Sequence, residues 1–212
     1  MDTVDYLLIL KGVLPFLKEI VLLIFGAIGS YVALQGLNTW KRQLKGKDEY
    51  ELCKKVLIDL YKYNNSIKVV RNPAMFQYEY ENPNDTIDFS DKEKLFRNKT
   101  YAYQERWKKV EENRSKLNLS IMESKVYWDD NLEELFNPIF EFENKLFYAV
   151  QDQLLMSNPN QDDEYKKYVG KLFYEEKKSK ILYFLGEKDK YYIELEDNIK
   201  KIEEFIRKKL KK

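Results

Sequence analysis

Residues 20–47 read IVLLIFGAIGSYVALQGLNTWKRQLKGK. The first 18 of them, Ile20 to Leu37, carry no charge, and the last ten form a cationic collar around Trp40. A helix rises about 1.5 Å per residue, and roughly 20 apolar residues cross a bilayer core about 30 Å thick. Ile20–Leu37 falls near the short end of that range, and Asn38, Thr39 and Trp40 complete the crossing at the interface. The stretch therefore predicts one transmembrane helix over 20–40, preceded by a short extracytoplasmic or interfacial segment, 1–19, and followed by a helical domain, 41–212.

The flanks predict orientation. Lys41, Arg42, Lys45 and Lys47 follow the apolar run closely, against Lys11 and Lys18 before it. The excess of cations on the C-terminal side places that side in the cytoplasm and the N-terminus outside. Trp40 lies where an interfacial aromatic anchor belongs, so Trp40, Lys41, Arg42, Lys45 and Lys47 are the candidate membrane-interface residues. Inside the span Gly26 and Ser30 are four apart, as are Gly29 and Ala33. Small residues at that spacing let two helices approach closely, which makes this face a candidate for self-association. The start, with Asp2 and Asp5, lacks the basic region and small-residue cleavage site of a signal peptide. The segment Tyr6–Leu17 reads either as a short interfacial helix or as an extension of the span bent at Pro15.

The remainder of the chain is charged and aromatic, with apolar residues at helical spacing. Cys53, Val56, Leu57, Leu60 and Ile67 mark a helix from about Gly46 to Val70, ended by Arg71-Asn72-Pro73. Residues 74–90, with Pro83 and many turn formers, read as a long loop, with Phe76, Tyr78 and Tyr80 as a short strand or an aromatic flap. Ser90 and Glu93 form a capping-box pattern opening a helix to about Leu117, with Leu95, Tyr103, Trp107 and Val110 inward. Ser120 and Glu123 repeat the pattern and open a helix to Phe136, after which Asn137-Pro138 either kinks it or caps another. Phe142, Leu146, Ala149, Val150 and Leu154 continue at helical spacing. A helix from Asp163 to Leu185 stops at Gly186, and a last one, Lys190–Leu210, carries Leu195, Ile199, Ile202, Ile206 and Leu210 as a stripe. The fold class is all-α: one N-terminal membrane helix and a bundle of about five helices.

Composition narrows the chemistry. Among 212 residues there is no histidine and one cysteine, Cys53. That removes Ser–His–Asp and Cys–His catalysis, His-ligated zinc and an internal disulfide. Lys+Arg 37 against Asp+Glu 36 gives +1, which argues against nucleic-acid binding. Asp129, Asp130, Glu133 and Glu134 could hold a metal in a bundle core, but such sites pair Glu with His, and a solvated helix face is the reading adopted. No glycine-rich phosphate loop and no nucleophile elbow occurs. Arg207, Lys208, Lys209, Lys211 and Lys212 suit a helix C-terminus and would contact lipid if the last helix folds back to the bilayer.

The juncture TWKRQLKGK over 39–47, Glu49-Tyr-Glu-Leu52, Lys54-Lys-Val-Leu57 and Arg71-Asn72-Pro73 resembles a group of small bacterial proteins with one N-terminal membrane helix and a helical cytoplasmic part. The resemblance covers about residues 20–75. It implies topology at the bacterial inner membrane and carries neither an activity nor site residues; Trp40, Gln43 and Gly46 are the positions that juxtamembrane charge alone does not require.

The sequence thus predicts a membrane-anchored, non-enzymatic interaction or scaffold protein without a cofactor. Its expected partners are the lipid bilayer, a second copy of itself and a cytoplasmic protein. The alternative is a membrane-linked sensor or effector, in stress response or phage defence, that binds a ligand through the 74–90 loop.

Overall fold

No cap or turn signal separates the apolar stretch from the first amphipathic one, and a single helix runs over both. A computed structural model describes residues 3–83, 91–186 and 188–210, with side chains from Pro15 onward. In it α1 spans Thr3–Arg71, followed by a 3-10 turn at Gln77–Tyr80, α2 (Lys92–Trp128), α3 (Asn131–Ser157), α4 (Asp163–Glu175), α5 (Lys178–Leu182) and α6 (Lys190–Leu210). Every regular element among the described residues is helical. Gly46, expected to open a helix, lies inside α1, and Pro15 interrupts nothing beyond its own missing N–H. The chain divides into two units, Met1–Asp48 and Glu49–Lys212.

In the first unit the Ile20–Leu37 stretch of α1 is apolar on all sides, and no described residue buries it. Leu22, Leu23, Phe25, Ile28, Val32 and Leu34 are all more than half exposed. It is long and apolar enough to cross a membrane.

In the second unit the core is set by stripes of apolar side chains. Val56, Leu60, Tyr63, Ile67 and Val70 of α1 recur at four, three, four and three and are buried, as is Cys53. This 4-3 alternation keeps one seam of a helix facing its neighbours. α3 is central, packing against α2, α4, α5 and α6. Its Leu132, Phe136, Ile139, Leu146, Ala149 and Val150 are buried, and Pro138 is taken up within the helix. α6 contributes Leu195, Ile199, Ile202 and Ile206 to the same core, whereas Leu210 is exposed. Leu57 and Trp107 are half-buried against the core, and Leu95 faces out.

Polar pairs show that α2 and α6 both run antiparallel to α1. Lys55 meets Glu123, Asp59 meets Ser120, and Lys62 O accepts from Asn113. On the other flank Cys53 lies by Ile206, Asn64 and Lys68 by Glu196, and Arg71 by Asp189.

Three boundaries differ from the sequence pattern, each for a local reason. Ser120 does not cap a helix: it is buried mid-α2, donating to Asp59 Oδ2 at 2.5 Å, while Glu123 reaches Lys55. Both side chains of that capping-box pattern are engaged in tertiary pairs. The true break is at Asp129, with φ 53°, and α3 starts two residues later. The α2 cap is Asp91, whose Oδ1 accepts from Glu93 N at 2.9 Å and Lys94 N at 3.2 Å, and Ser90 lies outside the described residues. The helix expected from Asp163 to Leu185 is two, split at Lys177 with φ 56°. Gly186, expected to stop that helix at Leu185, instead lies four residues beyond the end of α5 at Leu182, where its φ of 99° turns the chain before α6.

Removing a fully enclosed side chain should cost far more than trimming an exposed one. Leu146→Ala is expected to lower the unfolding free energy by about 2–5 kcal/mol and Leu119→Ala, exposed on α2, by less than about 1 kcal/mol. Urea unfolding followed by tryptophan fluorescence checks both.

Candidate interaction surface and the arginine latches

In the first unit Ser30 and Gln35, polar side chains of the apolar stretch, each donate a hydrogen bond within the helix. Ser30 Oγ donates to Gly26 O at 2.9 Å and Gln35 Nε2 to Tyr31 Oη at 2.9 Å. A helix surrounded by hydrocarbon must settle its hydrogen bonds in this internal way. Gly26 and Ser30 line an open groove of about 720 Å³ with Glu19, Leu22, Leu23 and Ala27. Gly29 and Ala33 are exposed but do not line it, so the structure gathers half of the proposed small-residue face. A Cβ at Gly26 or Gly29 would meet nothing within 4 Å. Trp40, Lys41, Arg42, Lys45 and Lys47 are all exposed on α1.

In the second unit two arginines organise the loops. Arg106 of α2 is only 5% exposed, and it forks onto Glu79: Nε to Oε1 at 2.6 Å and Nη2 to Oε2 at 2.9 Å. Its remaining donors reach Asn72 O and Ala74 O, both at 2.8 Å. Glu79 Oε2 also accepts from Phe76 N at 2.8 Å. The segment after α1 is thereby clamped to α2, and its 3-10 turn replaces the short strand or flap expected there. The clamp leaves Phe76 and Tyr78 stacked with centroids 5.6 Å apart and mostly exposed. Residues 84–90 of the expected loop lie outside the described residues.

Arg71 is 2% exposed at the end of α1. Nε donates to Ile181 O at 2.7 Å, and Nη2 to Lys180 O at 3.0 Å, Tyr183 O at 3.3 Å and Asp189 Oδ2 at 2.7 Å. Its own carbonyl accepts from Phe184 N at 2.9 Å. Asp189 in turn accepts from the backbone N–H groups of Leu185, Tyr191 and Tyr192. Burial alone would raise the Asp189 pKa; the N–H donors of Leu185 and Tyr192 and the Arg71 charge outweigh it and hold the carboxyl below its ordinary value. Glu79 is likewise lowered, chiefly by its hydrogen bonds from Arg106. A third arginine, Arg114, binds Glu143 at 2.7 Å and lies over the Phe140 ring, while the Tyr63 hydroxyl donates to the same carboxylate. Burial pushes the Tyr63 pKa up, and the Glu143 charge adds to it.

None of these sets is arranged for catalysis. Lys125 pairs with Asp130 at 3.0 Å and Glu133 at 2.5 Å, so two of the four carboxylates of the acidic cluster are ion-paired. Among the described residues no group of three or more Cys, Asp or Glu side chains converges to hold a metal ion. The Cys53 thiol is buried, and burial, seconded by the Glu49 charge, pushes its pKa up to about 11. Burial lowers the pKa of Lys99, which lies 3.3 Å from Ser157 Oγ, but that hydroxyl gives its own proton to Gln153 O. A serine donating elsewhere is not being activated by the lysine beside it. No family model, curated protein or solved structure matches the chain.

Sequence reading found the exposed collar and missed both arginine latches. A signal for one was present: Asp189 immediately precedes α6 and is a favoured N-cap residue. Nothing local marks which arginine will meet it.

Asp189→Asn removes the partner of a buried guanidinium and is expected to cost about 3–5 kcal/mol, whereas Lys55→Ala in an exposed pair costs under about 1 kcal/mol. Because the folded-state pKa values of Asp189 and Glu79 are depressed, their stabilisation is present above the ordinary carboxylate pKa and is lost as pH falls below it through the depressed folded values. Urea midpoints measured down a pH series should decline on this acid limb, and the decline should be shallower in the Asp189→Asn/Glu79→Gln double variant.

Proposed function

We propose that this protein is a membrane-anchored interaction scaffold, which presents its helical domain to a cytoplasmic protein partner at the bacterial inner membrane. The observation that carries this reading is the apolar helix around Ile20–Leu37, uncovered on every side and with its polar groups settled internally. An exposed apolar surface of that extent in water would drive aggregation; in a bilayer it is the solvated state. The collar Trp40, Lys41, Arg42, Lys45 and Lys47 supports a cytoplasmic placement of the second unit. The groove at Gly26 and Ser30 supports association of two copies through the span. The lack of a catalytic arrangement among the described residues leaves surface presentation as the activity best supported.

A second reading, a sensor that takes a ligand at the 74–90 loop, draws support from the stacked Phe76 and Tyr78 that the Arg106–Glu79 pair holds in solvent. Rigid, exposed aromatic side chains are inexpensive to order on binding.

The test is in-cell crosslinking of the full-length chain beside a version whose apolar stretch is a neutral Leu/Ala helix. The scaffold reading expects both to resist alkaline extraction from membranes and to crosslink the same cytoplasmic protein. Self-crosslinks should fall several-fold in Gly26→Leu/Ser30→Leu. Release of the native chain by alkali, or no crosslinked partner with either form, would count against it.

A further inference from the structure

The turns on either side of α5 gather a second charged feature that neither anchoring nor scaffolding uses. Lys177, Lys180, Lys188 and Lys190 line one cavity of about 400 Å³, closed by Leu185, Asp189 and Tyr191. Among the described residues none of the four lysines makes an ion pair. Asp189, the one carboxylate among the described residues of the wall, is committed to Arg71 and to three backbone N–H groups. Glu176 and Asp152 are both taken by Lys178, each at 2.8 Å. Among the described residues the cavity is thus lined by four lysines without an ion-pair partner and by one carboxylate already committed to Arg71.

Lys177 adds an independent sign. Its φ of 56° and ψ of 28° put it in the left-handed region, where glycine or asparagine is favoured and a lysine is strained. The turn is fixed there by Lys177 N to Tyr174 O at 3.1 Å and Lys180 N to Lys177 O at 2.9 Å. Residues held in such conformations concentrate at ligand sites. Here the strain keeps a cation at the rim of a concavity already lined by three others.

We propose that this cavity binds a soluble multivalent phosphate anion, a chain of two or more phosphates such as that of a nucleotide. Each ammonium offers three donors and a compact charge, and such groups bind phosphate as point charges. Four of them lining one cavity, with its one described carboxylate taken by Arg71, repel one another until a polyanion is present. Leu185 and Tyr191 provide an apolar wall for an organic group attached to the chain. Because Lys180 O also accepts from Arg71, a ligand here stiffens the turn that closes on the end of α1. This inference goes beyond the scaffold reading and stands or falls separately from it.

The experiment is calorimetric titration of the full-length protein, in neutral detergent, with sodium tripolyphosphate. The expected result is saturable one-to-one binding that weakens with added salt. Affinity should fall about tenfold in Lys180→Gln/Lys188→Gln, the loss of two charge-assisted contacts. Lys177→Gly relieves the strained backbone, so it should fold with an equal or higher melting temperature while binding several-fold more weakly. Lys208→Gln/Lys209→Gln, at the far end of α6, should leave affinity as it was. Vesicles of phosphatidylglycerol form the lipid arm. Capture by those vesicles without binding of soluble tripolyphosphate would assign the lysines to a headgroup surface and overturn the proposal. No saturable heat, or equal weakening in the Lys208/Lys209 pair, would overturn it too.

Discussion

The burial of the Arg71 charge is the constraint around which the helical domain closes. A guanidinium removed from water must be given acceptors, and all four that it engages come from residues 180–189. Supplying three carbonyls from Lys180, Ile181 and Tyr183 to one side chain requires that the chain leave regular helix just there. That is a physical account of why α5 is a single short piece between α4 and α6. It also explains why Gly186 turns the backbone immediately after. Arg106 repeats the arrangement on a smaller scale, collecting Asn72 O, Ala74 O and Glu79.

The two units answer the same problem, unpaired polar groups, in two solvents. In the apolar part of α1 Ser30 and Gln35 turn back on their own helix, to the carbonyl or hydroxyl four residues earlier. In the helical domain polar side chains reach across between helices, as Ser120 does to Asp59 and Arg114 to Glu143. The first habit suits a helix without partners of its own chain. The second fixes register, because Asp59 and Ser120 can pair in one alignment of α1 and α2 only.

Helical periodicity made most of the fold legible. The stripes of α1 and α6 were readable because every third or fourth residue is apolar and the side chains between are charged. α2 was harder, since Asn98, Arg106, Ser120 and Ser124 occupy its buried seam where an apolar residue would be expected. Each of the last three owes its place to a hydrogen bond, to Glu79, Asp59 or its own helix. Such partners lie 27 or 61 residues away in sequence or give no external sign. The same reason hid the lysine cavity: its members sit in the α4–α5 turn, in α5, in the following loop and at the start of α6, and line one cavity only once the Arg71 turn is formed. Lys177 gave no warning at all, because a positive φ is announced by glycine or asparagine and not by lysine.

Cys53 gives the molecule a built-in clock. Its sulfur lies against the Ile206 carbonyl between α1 and α6, and its raised pKa keeps it protonated in the closed fold. A thiol so placed reacts only when the two helices part, so the rate at which an alkylating reagent consumes it counts openings of that seam. Every departure of α6 from α1 can be timed in the native chain, without a label, at the end of the domain where the charged sequence gives way to the apolar one.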